Sequence, residues 1–68
     1  MKIFAKRLRE LRQEKGLSLV KLGEVLGLSH VSILRYEQNE AEPKQEMLNR
    51  IADYFGVSVD YLLGRTDY

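Results

Sequence analysis

The chain has 68 residues, no cysteine, one histidine and a formal net charge of +1, which bounds it to one domain and excludes disulfides and thiolate metal sites. The single histidine, His30, argues against a zinc site, which takes three or four protein ligands, so no metal and no cofactor is expected. No run of about 18 apolar residues is present, and the start "MKIFAKRLREL" mixes charges at helical spacing where a signal peptide would be apolar, so a cytoplasmic setting without a membrane is expected.

The predicted elements follow in chain order. A first helix is expected over residues 3–15, with Phe4, Leu8 and Leu11 on one face. "GLS" at 16–18 ends it and starts a second helix over 19–26, with Leu22, Val25 and Leu26 inward. A second "GLS", at 27–29, leads into a third helix over 30–37. The loop "QNEAEP" carries the one proline of the chain. A fourth helix is expected over 44–55, with Met47 or Leu48, Ile51 and Phe55 at helical spacing. "GVS" at 56–58 leads into a short fifth helix over 59–63, closed by Gly64. In each of these three units the glycine suits a helix C-terminus and the serine a helix N-cap. No segment alternates with period two, so no strand is expected. The fold class is all-α, with one domain over residues 1–64 and a short tail, 65–68, that should fray.

Charge is unevenly distributed. Residues 1–36 hold eight Lys/Arg against three Glu, a balance of +5, and residues 37–68 hold three against seven Asp/Glu, a balance of −4. Such asymmetry points to one face built for an anionic partner; a solvated helix with an uneven count is the alternative.

The second and third helices are joined by Gly27-Leu28-Ser29. A left-handed glycine, an apolar residue and a serine cap make the sharp bend of a helix-turn-helix, two short helices crossing at about 90–120°. Such a crossing needs a small residue, and Gly23 stands where it is expected. Glycine inside a helix costs up to about 1 kcal/mol relative to alanine, so close packing is a reason for its presence. Leu22, Leu26, Leu28, Ile33 and Tyr36 supply the apolar contacts of the pair.

At this point the sequence resembles the phage repressor and Cro-type helix-turn-helix DNA-binding family, including the xenobiotic-response-element-like bacterial regulators. The resemblance covers about residues 4 to 63. It rests on "RLRELRQEKGLS", Gly23, Gly27-Leu28-Ser29, "SILRYE", the later proline and "LNRIADYFGVSVDYLLG". It implies a compact five-helix lambda-repressor-like domain that binds double-stranded DNA as a transcriptional regulator, a repressor, and as a homodimer. It also implies a structural pair between Arg12 and Glu37, tying the first helix to the recognition helix. A largely buried pair would cost about 3–5 kcal/mol to break; an exposed pair would be worth little.

With about 100° per residue, Ile33 and Tyr36 point one way while His30, Val31, Leu34 and Arg35 point the other. These four are the expected base-contact residues. Arg35 can donate twice to guanine, Val31 and Leu34 can meet thymine methyls, and His30 can donate to guanine or phosphate. Ser29, Ser32, Lys21, Gln38, Asn39 and Lys44 are the expected DNA-backbone contacts. Arg7, Arg9 and Lys15 are further basic residues for phosphate. The alternatives are a protein contact for Leu34 and an ordinary solvated surface for His30 and Arg35.

Two positions depart from the family's pattern. Leu19 stands where a glutamine often touches a phosphate, and the loop after the third helix carries Glu40 and Glu42 where basic residues are common. Backbone affinity should then be weak for a monomer. Val59, Tyr61, Leu62 and Leu63 exceed what a short terminal helix needs and are the dimer candidates, unless Leu62 and Leu63 close the chain's own core. A protein-interaction module of antitoxin or anti-repressor type is the competing function. An enzyme is not expected, and neither is a separate small-molecule domain within these 68 residues.

Overall fold

The computed structural model describes residues 2–68. Five helices, and no strand, are present among the described residues: α1 (Lys2–Glu14), α2 (Leu19–Leu26), α3 (His30–Glu37), α4 (Gln45–Phe55) and α5 (Val59–Leu62). The expected helices all form, with ends within about one residue of the expected ones, the scatter typical of helix termini.

The serines act as local hydrogen-bond acceptors at helix starts. Ser18 Oγ accepts the Lys21 N–H at 3.0 Å, Ser29 Oγ the Ser32 N–H at 3.3 Å, and Ser58 Oγ the Tyr61 N–H at 2.9 Å. Each satisfies one of the amides that a helix leaves without an internal partner. At the end of α2, Gly27 sits at φ 73°, and the Leu28 N–H reaches back to the Gly23 carbonyl at 2.8 Å. Helix α3 has no glycine after it. Asn39 takes the left-handed conformation there, at φ 60°, and the Glu40 N–H closes on the Arg35 carbonyl at 2.9 Å. Asparagine tolerates this conformation better than other side-chain-bearing residues.

The core gathers one stripe from each helix: Phe4 and Leu8 of α1, Leu22 and Leu26 of α2, Ile33 of α3, Leu48, Ile51 and Ala52 of α4, and Leu62 of α5. Fully burying a large apolar side chain is worth about 1.5–3 kcal/mol, and the Phe4 and Tyr36 rings meet edge-on at 6.2 Å. Two sequence expectations are corrected here. Val25 does not point inward; it is 36% exposed, and Gly23 is the buried neighbour on α2. Leu62 is fully buried, so it closes the chain's own core and is not part of a dimer surface. Val59 and Leu63 are partly buried against the same core.

Two residues of the tail, Thr66 and Asp67, contact α1. Arg7 Nη1 donates to the backbone carbonyls of Tyr61 and of Thr66, the latter at 2.7 Å. The guanidinium also lies 4.2 Å from the centre of the Tyr61 ring. Asp67 adds an ion pair at 3.7 Å, with its carboxylate almost wholly in solvent, so that contact is screened and weak.

Candidate nucleic-acid interface

Helix α3 is held from behind and open in front. Ile33 is fully buried, whereas Val31 is 49% and Leu34 37% exposed. His30 and Arg35 are exposed as well. The four expected base-contact residues therefore share one outward face of a rigid helix.

What fixes that helix is Arg12. Its Nε donates to Glu37 Oε2 at 2.6 Å, its Nη2 to Glu37 Oε1 at 3.0 Å, and its Nη1 to the Leu17 carbonyl at 2.9 Å. One guanidinium thus joins α1, the entry to α2 and the last turn of α3. The two side chains are only 14% and 5% exposed. Hydrogen bonding to Glu37 raises the pKa of Arg12 above its ordinary value; burial opposes this, and the Coulombic attraction of Glu37 adds to it.

Gly23 fixes the angle of the turn. A Cβ placed there would lie 2.5 Å from the Leu28 carbonyl oxygen and 3.3 Å from the Ser29 carbonyl carbon. The close neighbour is backbone of the turn itself, which cannot swing away as a flexible side chain could. Glycine at this position lets α2 press against the turn and sets where α3 begins.

The expected backbone-contact residues are spread around this face. Ser29 is exposed, but its Oγ is engaged as a cap and lies 3.3 Å from Ser32 Oγ. Ser32 is half-buried. Lys21 is exposed and faces Glu24 at 3.7 Å, which partly neutralises it. Gln38 is exposed at the end of α3, and Asn39 is the left-handed residue after it. Lys44 is exposed at the start of α4 and forms no side-chain cap there. It lines a groove of about 450 Å³ with Tyr36, Glu42, Glu46, Met47 and Arg50. Arg50 was missed in the sequence because it lies within α4, six residues after Lys44, and only the folded helix brings it to the same groove.

Two basic residues are occupied elsewhere. Arg7 is held at the C-terminal end of the chain, and the ammonium of Lys15 sits 4.9 Å from the centre of the Tyr54 ring. Among the described residues no group of His, Cys, Asp and Glu is arranged to hold a metal ion. No helix among them is long and apolar enough to cross a membrane.

The sequence profile of the helix-turn-helix family matches residues 8–62. The chain belongs to this family. The helix-turn-helix chain is 34% identical over 64 residues to the SPbeta prophage-derived HTH-type transcriptional regulator YonR of Bacillus subtilis, covering 94% of this chain and 59% of that protein. It is 37% identical over 65 residues to the HTH-type transcriptional regulator YobD of the same organism, covering 96% of this chain and 58% of that protein. It thus spans a little over half the length of these relatives. Among solved structures it is similar to the P22 c2 repressor protein in complex with synthetic operator 9T. The TM-score is 0.82 and the identity 32%, with 87% of this chain and 89% of that one covered. The two Bacillus subtilis relatives carry the description of uncharacterized HTH-type transcriptional regulators and the P22 protein is a repressor bound to operator; none is an enzyme, and they do not favour the interaction-module reading.

Proposed function

We propose that this helix-turn-helix chain binds a specific double-stranded DNA site with α3 in the major groove and represses transcription there as a two-fold dimer. The observation that carries the reading is the two-sidedness of α3. Ile33 and the Arg12–Glu37 pair lock its back, while His30, Val31, Leu34 and Arg35 stand in solvent on its front. Side chains with guanine-donating and methyl-contacting chemistry, carried on a helix held from behind, are what base reading requires.

Phosphate contacts would come from Lys21, Lys44 and Arg50, with Ser29, Ser32, Gln38 and Asn39 as neutral neighbours. Arg7 and Lys15 contribute through the fold instead. A two-fold dimer places half-sites about 34 Å apart, with Val59, Tyr61 and Leu63 on its surface. The site of action is the cytoplasm.

The test is selection from a randomised duplex pool, followed by anisotropy titration at two salt concentrations. An enriched two-fold site, weakened at least tenfold by Arg35→Ala and steeply dependent on salt, is the expected outcome. Weak binding that Arg35→Ala leaves unchanged across all sequences would refute it.

A further inference from the structure

His30 is the one side chain of this molecule whose ordinary titration falls between about pH 5 and 8, because the chain has a single histidine and no cysteine. It is the first residue of α3 and is exposed. Its imidazole makes no hydrogen bond or ion pair with any described residue. An imidazole so placed gains a proton without breaking a contact of the fold.

The charged groups on the elements around it are committed elsewhere. On α2, which packs against the start of α3 through Gly23, Lys21 and Glu24 face each other at 3.7 Å. Glu37 is the only carboxylate of α3; it stands at the opposite end of that helix and is held by Arg12 of α1. Arg9 of α1 lines a cleft with Glu37 and Gln38, at that same end. Glu40 and Glu42 lie beyond it in the loop. Arg35 is the remaining charge of α3, five residues after His30. Arg35 and the partial positive charge of the helix N-terminus both have the sign of an imidazolium. In the free domain, then, these elements leave no unpaired carboxylate to reward a proton on His30.

A duplex reverses that balance. It carries one negative charge per about 1.7 Å of its axis, and a negative charge within about 4–6 Å favours the charged form of a histidine. Loss of water on docking works the other way; protein–DNA interfaces keep bridging water, so the phosphates outweigh it. We infer that His30 takes up a proton as the chain binds its DNA site, which makes affinity for that site depend on pH across the neutral range. The inference rests on the DNA-binding reading above. Its sign follows from reciprocity: if DNA favours the proton, the proton favours DNA by the same factor. The gain in affinity is complete below the pH at which His30 titrates in the free chain. It is lost as pH rises through the higher value of the complex.

The experiment measures Kd for the selected duplex by anisotropy at about pH 6, 7 and 8 and fixed ionic strength, for the wild-type chain and His30→Gln. Glutamine keeps a neutral donor but takes up no proton, and circular dichroism checks that the variant folds. Only the ratio of Kd between pH values is read, so a uniform loss of affinity in the variant does not enter. The α-amino group, which also titrates in this range, is common to both chains. Wild-type binding should weaken about five- to tenfold per bound protomer between about pH 6 and 8, and that of the variant by less than about twofold. The salt dependence of the wild type should also be steeper at about pH 6, by up to about one phosphate contact per protomer. A flat wild-type profile overturns the inference, and so does a profile that His30→Gln retains. Affinity that rises with pH overturns it as well, since loss of water would then dominate. If no duplex is enriched in the first place, the DNA-binding reading itself fails; an enriched site with pH-independent binding sinks this inference alone.

Discussion

Helix α1 carries two arginines, Arg7 and Arg12, five residues apart, that do different work. Arg12 directs its hydrogen bonds to the recognition unit, joining Glu37 and the Leu17 carbonyl. Arg7 spends its contacts on the C-terminal corner, joining the Tyr61 and Thr66 carbonyls and stacking on Tyr61. The first is a bidentate pair with a largely buried carboxylate; the second satisfies backbone acceptors beside solvent. Both count toward the basic N-terminal half, yet both are held inside the fold. Charge counted along a chain is therefore not charge available to a phosphate.

The comparison can be broken from its stronger side first. Arg12→Ala should cost about 3–5 kcal/mol, because it leaves the Glu37 carboxylate buried without its partner. A domain of this size has only about 3–10 kcal/mol of total stability, so urea unfolding should show a large share of it gone and a midpoint shifted well down. A double-mutant cycle with Glu37→Gln should recover part of the loss; strict additivity would mean that the pair is not coupled. The pKa of Arg12 is raised in the folded state. Its contribution is therefore complete below the ordinary arginine value and is lost only as pH rises through the folded one, in strong alkali. The Arg12→Ala loss should stay constant between about pH 6 and pH 9.

Gly23→Ala should come next, at about 1–3 kcal/mol or more, through overlap with the Leu28 carbonyl. Thermal melting reads the loss, and a variant as stable as the parent would show that the turn can move aside. Arg7→Ala should cost less, about 1–2 kcal/mol from two hydrogen bonds to carbonyls. Its signature is local: hydrogen exchange should quicken over residues 61–68 and stay unchanged in α3. Faster exchange throughout α3 would erase the distinction between the two arginines. Smallest is Arg35→Ala, which should change stability by less than about 0.5 kcal/mol while removing tight DNA binding. A large stability loss would give Arg35 a place in the fold rather than on the working face.

How much of this was legible in the residues depends on the range of each interaction. Ser18, Ser29 and Ser58 were readable as caps because each bonds an amide three residues ahead. The outward face of α3 followed from helical spacing. Asn39 was read as a DNA contact, although it is also the left-handed stop of α3; glycine usually signals that role, and here the signal was missing. Arg50 was invisible for another reason, since its groove exists only when α3 and α4 meet.

The sequence by itself determined the helix boundaries, the bend between α2 and α3 and the residues that α3 turns outward. These depend on hydrogen bonds and side-chain periodicity within a few residues, which the chain carries locally. Only the tertiary structure decided that Leu62 closes the core, that Val25 faces solvent and that Arg7 is spent on carbonyls 54 and 59 residues away. Those choices depend on how five short helices pack, and no local pattern encodes which apolar or basic neighbour another helix will reach.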